Sequence, residues 1–521
     1  MSISLELTIF NKLFAAVAEE MGIVLRKSAF SPNIKERRDY SCALCTDAGE
    51  LLAQAAHIPV HLGALPRTLA RVLPEFPLGP GDVLLLNDPY WGGTHLPDLT
   101  VLAPVYAGER LAFYLVNRAH HADVGGSTPG SMPLARSLEE EGVLIPPTYL
   151  FKNGQLQEDF LASLVSRMRV PAERRGDLQA QLAALHRGQE RLADLVARYG
   201  LEKLLDLSRA LLAYSERAMR ALISNIPDGS YGFTDYLDDD GYGHRDLAIR
   251  LHLTVAGDQA VLDFRESGGQ AAGGVNAVPP VVDAACYYVF LTLLAEDYPI
   301  NQGCFRPLRV LTRPGSLLDP VYPAPVAAGN VETSQRLVDV GLGALAPALP
   351  QVIPAASQGT MNNLAFGGLD PATGREFTYY ETIAGGMGGR PGRRGLDGVH
   401  THMTNTRNTP VEVLEHDYPL VVERYAFREN SGGSGRFPGG RGLIRDFCFL
   451  APVTVSLLSE RREHAPYGLQ GGGPGATGEN VLLTEEGETK LPGKINLPLP
   501  AGSRLSIRTP GGGGWGKITK A

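Results

Sequence analysis

A chain of 521 residues, 44% hydrophobic and 20% charged, has material for more than one core, and two or three domains are the expectation. Its net charge of −8 argues against a nucleic-acid binder or a polybasic membrane anchor. The most apolar run, residues 341–356, is broken by three prolines, so no segment reads as membrane-spanning.

Residues 4–29 place Leu5, Phe10, Leu13, Phe14, Val17, Met21 and Val24 at helical spacing, which predicts an opening amphipathic helix. Glu6 precedes any basic residue, so this stretch lacks the cationic start of a signal peptide. YSCALCTDAGELLAQAAH (40–57) suggests two short strands about the turn Thr46-Asp47-Ala48-Gly49. Cys42 and Cys45 have redox or zinc spacing, but no second CxxC follows and they read as small buried residues. Five scattered cysteines fit reduced thiols and a cytoplasmic protein. A helix is expected over 65–73, then strands near 83–87, 99–106 and 111–117.

Apolar residues recur at helical spacing over 174–198 and again over 201–223, with Gly200 between. This predicts a helical hairpin, a packing or partner surface without chemistry of its own. Beyond Pro227-Asp228-Gly229 the pattern turns β-like, with buried helices expected near 279–296 and 331–346. From about Gly359 the chain is glycine-rich with short strands. The fold class expected is mixed α+β, β-rich and multi-domain. Its segments are a mixed α/β metal-site region (1–155), the helical hairpin (156–226), a second mixed region (227–358) and a glycine-rich β-containing region (359–521).

Two stretches at strand ends carry the chemistry: GGTHLPDLT (92–100) and NRAHHADVGG (117–126). His95, Asp98 and His120 are two imidazoles and a carboxylate, a set suited to one divalent ion such as zinc, manganese or iron. If the strand ending at Asn117 pairs with the one starting at Leu99, Asp98 and His120 fall at the same end of a sheet. Asp39, from the next strand over, is a candidate fourth ligand. The alternative is a group of hydrogen-bonded loop residues. His121 and Asp123 flank the set and are candidates to orient a ligand or carry a proton. His57 and His61 in HIPVHLG join the catalytic candidates, although Pro59 favours a loop and structural histidines are the plainer reading.

GGGGWGKI (511–518) matches GxxxxGK, but Ile518 replaces the Ser/Thr that would hold magnesium and no helix follows, so it is not read as a nucleotide site. GGMGGRPGRRG (385–395) and GGSGRFPGGRG (432–442) read as tight Gly/Arg turns, with anion contacts to their arginines as the alternative. No GxSxG elbow is present in the sequence.

SPNIKERRDYSCAL, HIPVHLGA, GGTHLPDLTV, NRAHHADVGG, GNVETSQR, SQGTMNNLAFGG, YYETIAGGMGGRPG, HTHMTNTRNTPVEVLE and TPGGGGWG occur in this order. Together they resemble the hydantoinase B/oxoprolinase family over about residues 5–516. The resemblance implies a division of labour. A separate partner of the hydantoinase A/oxoprolinase type binds ATP and phosphorylates a cyclic amide of the hydantoin, 5-oxoproline or lactam type. The B component then completes ring opening at a divalent metal, whose family pattern falls on His95, Asp98 and His120. The expectation is therefore a cytoplasmic hetero-oligomer with ATP bound by the partner. Alternatives are a component of an acetone- or acetophenone-type carboxylase and a non-catalytic scaffold for the A component.

Overall fold

The computed structural model describes residues 3–55, 58–294 and 298–518. The opening apolar spacing forms the helix Leu5–Ser28, whose first turn is capped by the Ser4 hydroxyl accepting from Leu7 N. Phe10, Phe14, Val17, Met21 and Leu25 form its buried face. That face lies on an antiparallel sheet and on the long helix Pro171–Tyr199.

The sheet holds β1 (Tyr40–Thr46), β2 (Leu51–Ala55), β3 (Val83–Leu86), β4 (Asp98–Ala107), β5 (Arg110–His120), β6 (Thr148–Lys152) and β7 (Gln155–Leu156), in the order β2-β1-β5-β4-β3-β6-β7. A two-residue turn with Gly108 at φ +63° joins β4 to β5. Both central strands are buried for most of their length, which is why their sequences run apolar instead of alternating. Cys42 and Cys45 are buried free thiols on β1, as their sequence setting suggests. Burial raises both thiols, Cys45 to about 12.

Gly200, at φ +80°, separates Pro171–Tyr199 from Leu201–Ile223. The first helix packs on Leu5–Ser28, β4 and β5, and the second packs on the turn Gln302–Phe305. These helices belong to the core and are not a free surface. Contrary to the expectation of a surface without chemistry, the first buries Arg174, Asp177 and Gln181 beneath the sheet.

The expected later helices form as Pro279–Leu291 and Ser334–Leu345, the second preceded by one π-helical turn, Gly329–Thr333. Three further sheets complete a mixed α+β fold among the described residues. One continuous apolar core draws on residues from Phe10 to Leu458, and a second lies between the two C-terminal sheets, from Leu364 to Ile507. Buried ion pairs tie the regions together: Arg461 binds Asp235 and Asp339 at 2.7 Å each, and Arg336 binds Glu460 at 3.2 Å.

The glycine-rich stretches hold one tight turn of the kind expected, Arg390 to Arg393 with Gly392 at φ +81°, but most of their glycines serve another purpose. Segments 385–395, 432–442 and 511–514 lie against one another and exchange backbone hydrogen bonds, including Gly433 N to Gly512 O, Gly440 N to Met387 O and Gly389 N to Gly513 O, each 2.8 Å. A β-carbon on Gly512 would stand 2.1 Å from Met387 O, and one on Gly439 would stand 1.9 Å from Gly512 O. Neither residue has a positive φ. Close backbone approach, not turn geometry, requires glycine there.

Glu141 shows how tightly the regions are joined. Its Oε1 accepts from Val326 N at 2.8 Å and Ala327 N at 2.9 Å, while Oε2 has no hydrogen-bond partner among the described residues. Burial pushes its carboxyl from 4.5 up to about 8, against the pull of those two N–H groups. A raised carboxyl means the folded state holds the proton more tightly than the unfolded chain. Its stabilising effect is complete below 4.5 and is lost as pH rises through about 8. Glu141→Gln keeps the acceptor oxygen and removes the titration. Thermal melts should show the variant gaining on wild type between about pH 6 and about pH 9.

Candidate metal centre

The β4–β5 register places Asp98 directly opposite His120, so their side chains leave the same face at the end of the sheet. His95 enters from the turn just before β4, where Asp98 N donates to His95 O at 3.1 Å. Glycine makes this turn possible: Gly92 has φ +89°, and a β-carbon on Gly93 would meet Asp88 O at 2.6 Å.

Three atoms converge. His95 Nε2 lies 3.2 Å from Asp98 Oδ1 and 3.2 Å from His120 Nδ1, and His120 Nδ1 lies 3.3 Å from Asp98 Oδ1. All three side chains are almost completely buried, yet Asp98 Oδ1 accepts no aligned hydrogen bond among the described residues. Ligand atoms about 2.1 Å from a shared cation stand about 3.0 to 3.4 Å apart, so the residues present fit a divalent ion. The other Asp98 oxygen is engaged. Oδ2 accepts from the Thr94 hydroxyl and faces His61 Nε2 at 3.2 Å, while His61 Nδ1 meets Ser41 Oγ at 3.0 Å.

Burial alone would raise the Asp98 carboxyl, but His95 and His61, with His120, hold it well below the usual carboxylate range. Burial lowers His120 despite its carboxylate neighbours, so its imidazole stays neutral near pH 7 and its lone pair is available. The His120 ring stacks on Tyr380 with centroids 4.6 Å apart, and the Arg37 guanidinium lies 4.8 Å from the centroid of Tyr380. Asn330, on the π-helical turn, points Nδ2 at His95 Nε2 from 3.1 Å, and its Oδ1 has no hydrogen-bond partner among the described residues.

The sequence-predicted residues separate into groups. His95, Asp98 and His120 come together. Asp39 lies beside them: its carbonyl accepts from His120 N at 3.0 Å and its side chain lines the same pocket. His61 also joins the site, through Asp98. His57 lies outside the described residues. His121 and Asp123 face elsewhere and are not placed for proton transfer at this centre. His121 Nε2 meets Gln181 Oε1 at 2.9 Å on the helix side of the sheet. Asp123 closes a turn by accepting from Gly125 N and Gly130 N at 2.7 Å each. Tyr380, Asn330 and Thr94 went unassigned in the sequence, although each lies in a stretch that carried the family resemblance.

The pocket at the cluster is small, about 20 Å³, room for an ion or a water. Thr404 lines it and also a neighbouring cavity of about 640 Å³ walled by Met387, Arg390, His400 and His402. That cavity is of small-molecule size.

Known proteins resemble the chain in both sequence and fold. It matches hydantoinase B/oxoprolinase over residues 4–518. It is 41% identical to 5-oxoprolinase 1 of Arabidopsis thaliana, covering 98% of this chain and 42% of that protein. It thus spans less than half the length of that relative. It is 32% identical to a putative hydantoinase component, the B chain of a D-/L-hydantoinase from Pseudomonas sp. (strain NS671), covering 96% of this chain and 88% of that one. Among solved structures, the ATP-dependent caprolactamase from Pseudomonas jessenii superposes with a TM-score of 0.92 at 28% identity, over 99% of this chain and 92% of its own.

The geometry separates ligand loss from structural loss. Asp98→Ala should abolish tight uptake of cobalt(II) by the purified chain, read from its visible absorption. Asp123→Ala should leave that uptake unchanged and lower stability in urea melts by about 1–3 kcal/mol, because it strands two buried N–H groups.

Proposed function

The chain belongs to the hydantoinase B/oxoprolinase family, and on that basis we propose that it is the metal-dependent B component of an ATP-dependent cyclic-amide hydrolase. Its substrate is a hydantoin, 5-oxoproline or lactam activated by phosphorylation in a separate A component. The observation that carries this reading is the convergence of His95 Nε2, Asp98 Oδ1 and His120 Nδ1 within 3.2–3.3 Å of one another at a pocket floor. The relatives named as 5-oxoprolinase, D-/L-hydantoinase and ATP-dependent caprolactamase support the reaction class.

His95, Asp98 and His120 would hold the cation, with Asp39 as a further ligand from the same pocket. A cation bound there supplies Lewis acidity toward a carbonyl or phosphoryl oxygen and acidifies water. Every other part of the work falls to the chain. Thr94 and His61 hold Asp98 Oδ2, which turns Oδ1 toward the two imidazoles. With both ring nitrogens occupied, His61 positions the carboxylate and is not a free base. Tyr380, braced by Arg37, fixes the plane of the His120 ring. Once the His95 lone pair is engaged, the Asn330 amide cannot donate to it, and its NH₂ is free to hold a substrate oxygen. The larger cavity beyond Thr404 accommodates the ring.

The test is turnover by the co-purified complex of this chain with its A component. Hydantoin, 5-oxoproline and caprolactam are supplied with and without ATP, and before and after chelation. Ring opening should need both ATP and metal, and turnover without ATP would sink the proposal. Labelled bicarbonate recovered in an organic product would point to carboxylation instead. His95→Ala/His120→Ala should keep complex formation and lose activity by about 100-fold or more. Full activity in that variant would mean the chain only scaffolds its partner.

A further inference from the structure

On the far side of the metal pocket the surface opens into a second groove of about 530 Å³, lined by Arg26, Lys27, Lys35, Glu36, Arg38, Arg407, Asn408 and Pro410. Five cations face one carboxylate, in a chain whose net charge is −8. None of the five forms an ion pair or a side-chain hydrogen bond among the described residues, although most arginines of this protein are paired. Glu36 has no ion-pair partner among the described residues either. The C-terminal ends of helices favour cations, which accounts for Arg26 and Lys27. It does not account for Arg38 or Arg407.

Those two residues show how the groove relates to the centre. Arg38 sits at φ +59°, a conformation that side chains seldom adopt, and the next residue, Asp39, lines the metal pocket. Thr406 lines the metal pocket and the next residue, Arg407, lines the groove. The two strips are joined by Arg407 N donating to Arg37 O at 3.1 Å. The residues behind them are hydrogen-bonded to one another. Arg37 donates to Thr382 Oγ1 at 3.2 Å, Thr382 Oγ1 meets Thr406 Oγ1 at 2.9 Å, and Asn408 donates to Thr382 O at 2.8 Å.

Unpaired cations held in a concave site repel one another until an anion neutralises them, and arginine forks match phosphoryl oxygens in particular. We propose that this groove is a phosphate-binding site, taking a phosphoryl dianion beside the metal pocket. It deepens the activity proposed above, and rests on it, since there the substrate arrives phosphorylated. The same chemistry could come from inorganic phosphate, from a nucleotide or from a phosphorylated small molecule.

The measurement uses the purified full chain without its partner and without turnover, so its outcome is independent of the metal reading. Inorganic phosphate, ADP and acetyl phosphate are titrated by calorimetry at low ionic strength, with cobalt(II) uptake recorded on every sample. Binding should be saturable, weaken as salt rises and fall about tenfold for each cation removed in Arg38→Gln and Arg407→Gln. Arg209→Gln, on a distant exposed helix surface, should bind like wild type. A preference for acetyl phosphate assigns the groove to the activated substrate, equal binding of all three assigns it to the phosphoryl group alone, and preference for ADP assigns it to a nucleotide. Absence of binding to all three would overturn the proposal, as would binding unaffected by the two substitutions. Should Arg38→Gln fold poorly, Arg407→Gln decides, because Arg407 is exposed and its side chain forms no hydrogen bond or ion pair among the described residues. Loss of binding to the A component in Arg407→Gln, with no phosphate binding by wild type, would show a protein-docking surface and also overturn it.

Discussion

A buried carboxylate must be compensated, and this structure is organised around one such group. Asp98 has lost almost all its solvent and recovers stabilisation from the Thr94 hydroxyl and three imidazoles drawn from separate parts of the chain. Each of those partners must be held in turn. Ser41 on β1 holds His61, Tyr380 holds His120, and Asn330 faces His95. The β4–β5 register then acquires a purpose: a shift of one residue would turn His120 to the helix side and take one of the three imidazoles away from Asp98. Packing of the central strands and electrostatics of the site are therefore the same constraint seen at two scales.

Much of this was legible in the sequence because the signals are local. The apolar runs on either side of Gly108 predict two strands joined by a short turn. A short turn forces antiparallel pairing, which brings both strand ends and their His and Asp residues to one edge. His121 and Asp123 were misplaced for an equally physical reason. Adjacent residues on a strand face opposite sides, and sequence alone does not say which of two neighbouring histidines faces the pocket. Tyr380 and Asn330 were beyond reach because they arrive from more than two hundred positions away, carried by packing that no local pattern encodes. The glycine-rich tail misled in another way. Its spacing suggested turns, whereas the absence of side chains serves backbone-to-backbone contact.

The stretch 402–408 links the three cavities. His402 and Thr404 wall the large one, Met403, Thr404 and Thr406 the metal pocket, and Arg407 with Asn408 the basic groove. Side chains alternate around an irregular strip of backbone, so seven residues give three different chemical surfaces. A cavity of small-molecule size, the rim of the candidate metal pocket and a basic groove thus meet along one short span.

The glycine layer has a consequence for how the molecule comes into being. Gly433 and Gly389 direct N–H groups at carbonyls of Gly512 and Gly513. During synthesis those carbonyls leave the ribosome long after both donors. Until then Gly389 and Gly433 hold open backbone N–H groups that water must satisfy. Local hairpins such as 363–381 and 479–491 can pair earlier, since they close over shorter distances. The last event is the threading of residues 511–514 between two strips of bare backbone. A nascent chain stalled just short of it would present a long, flat, hydrogen-bond-hungry surface to its neighbours, the kind of surface that chaperones shield and proteases find first.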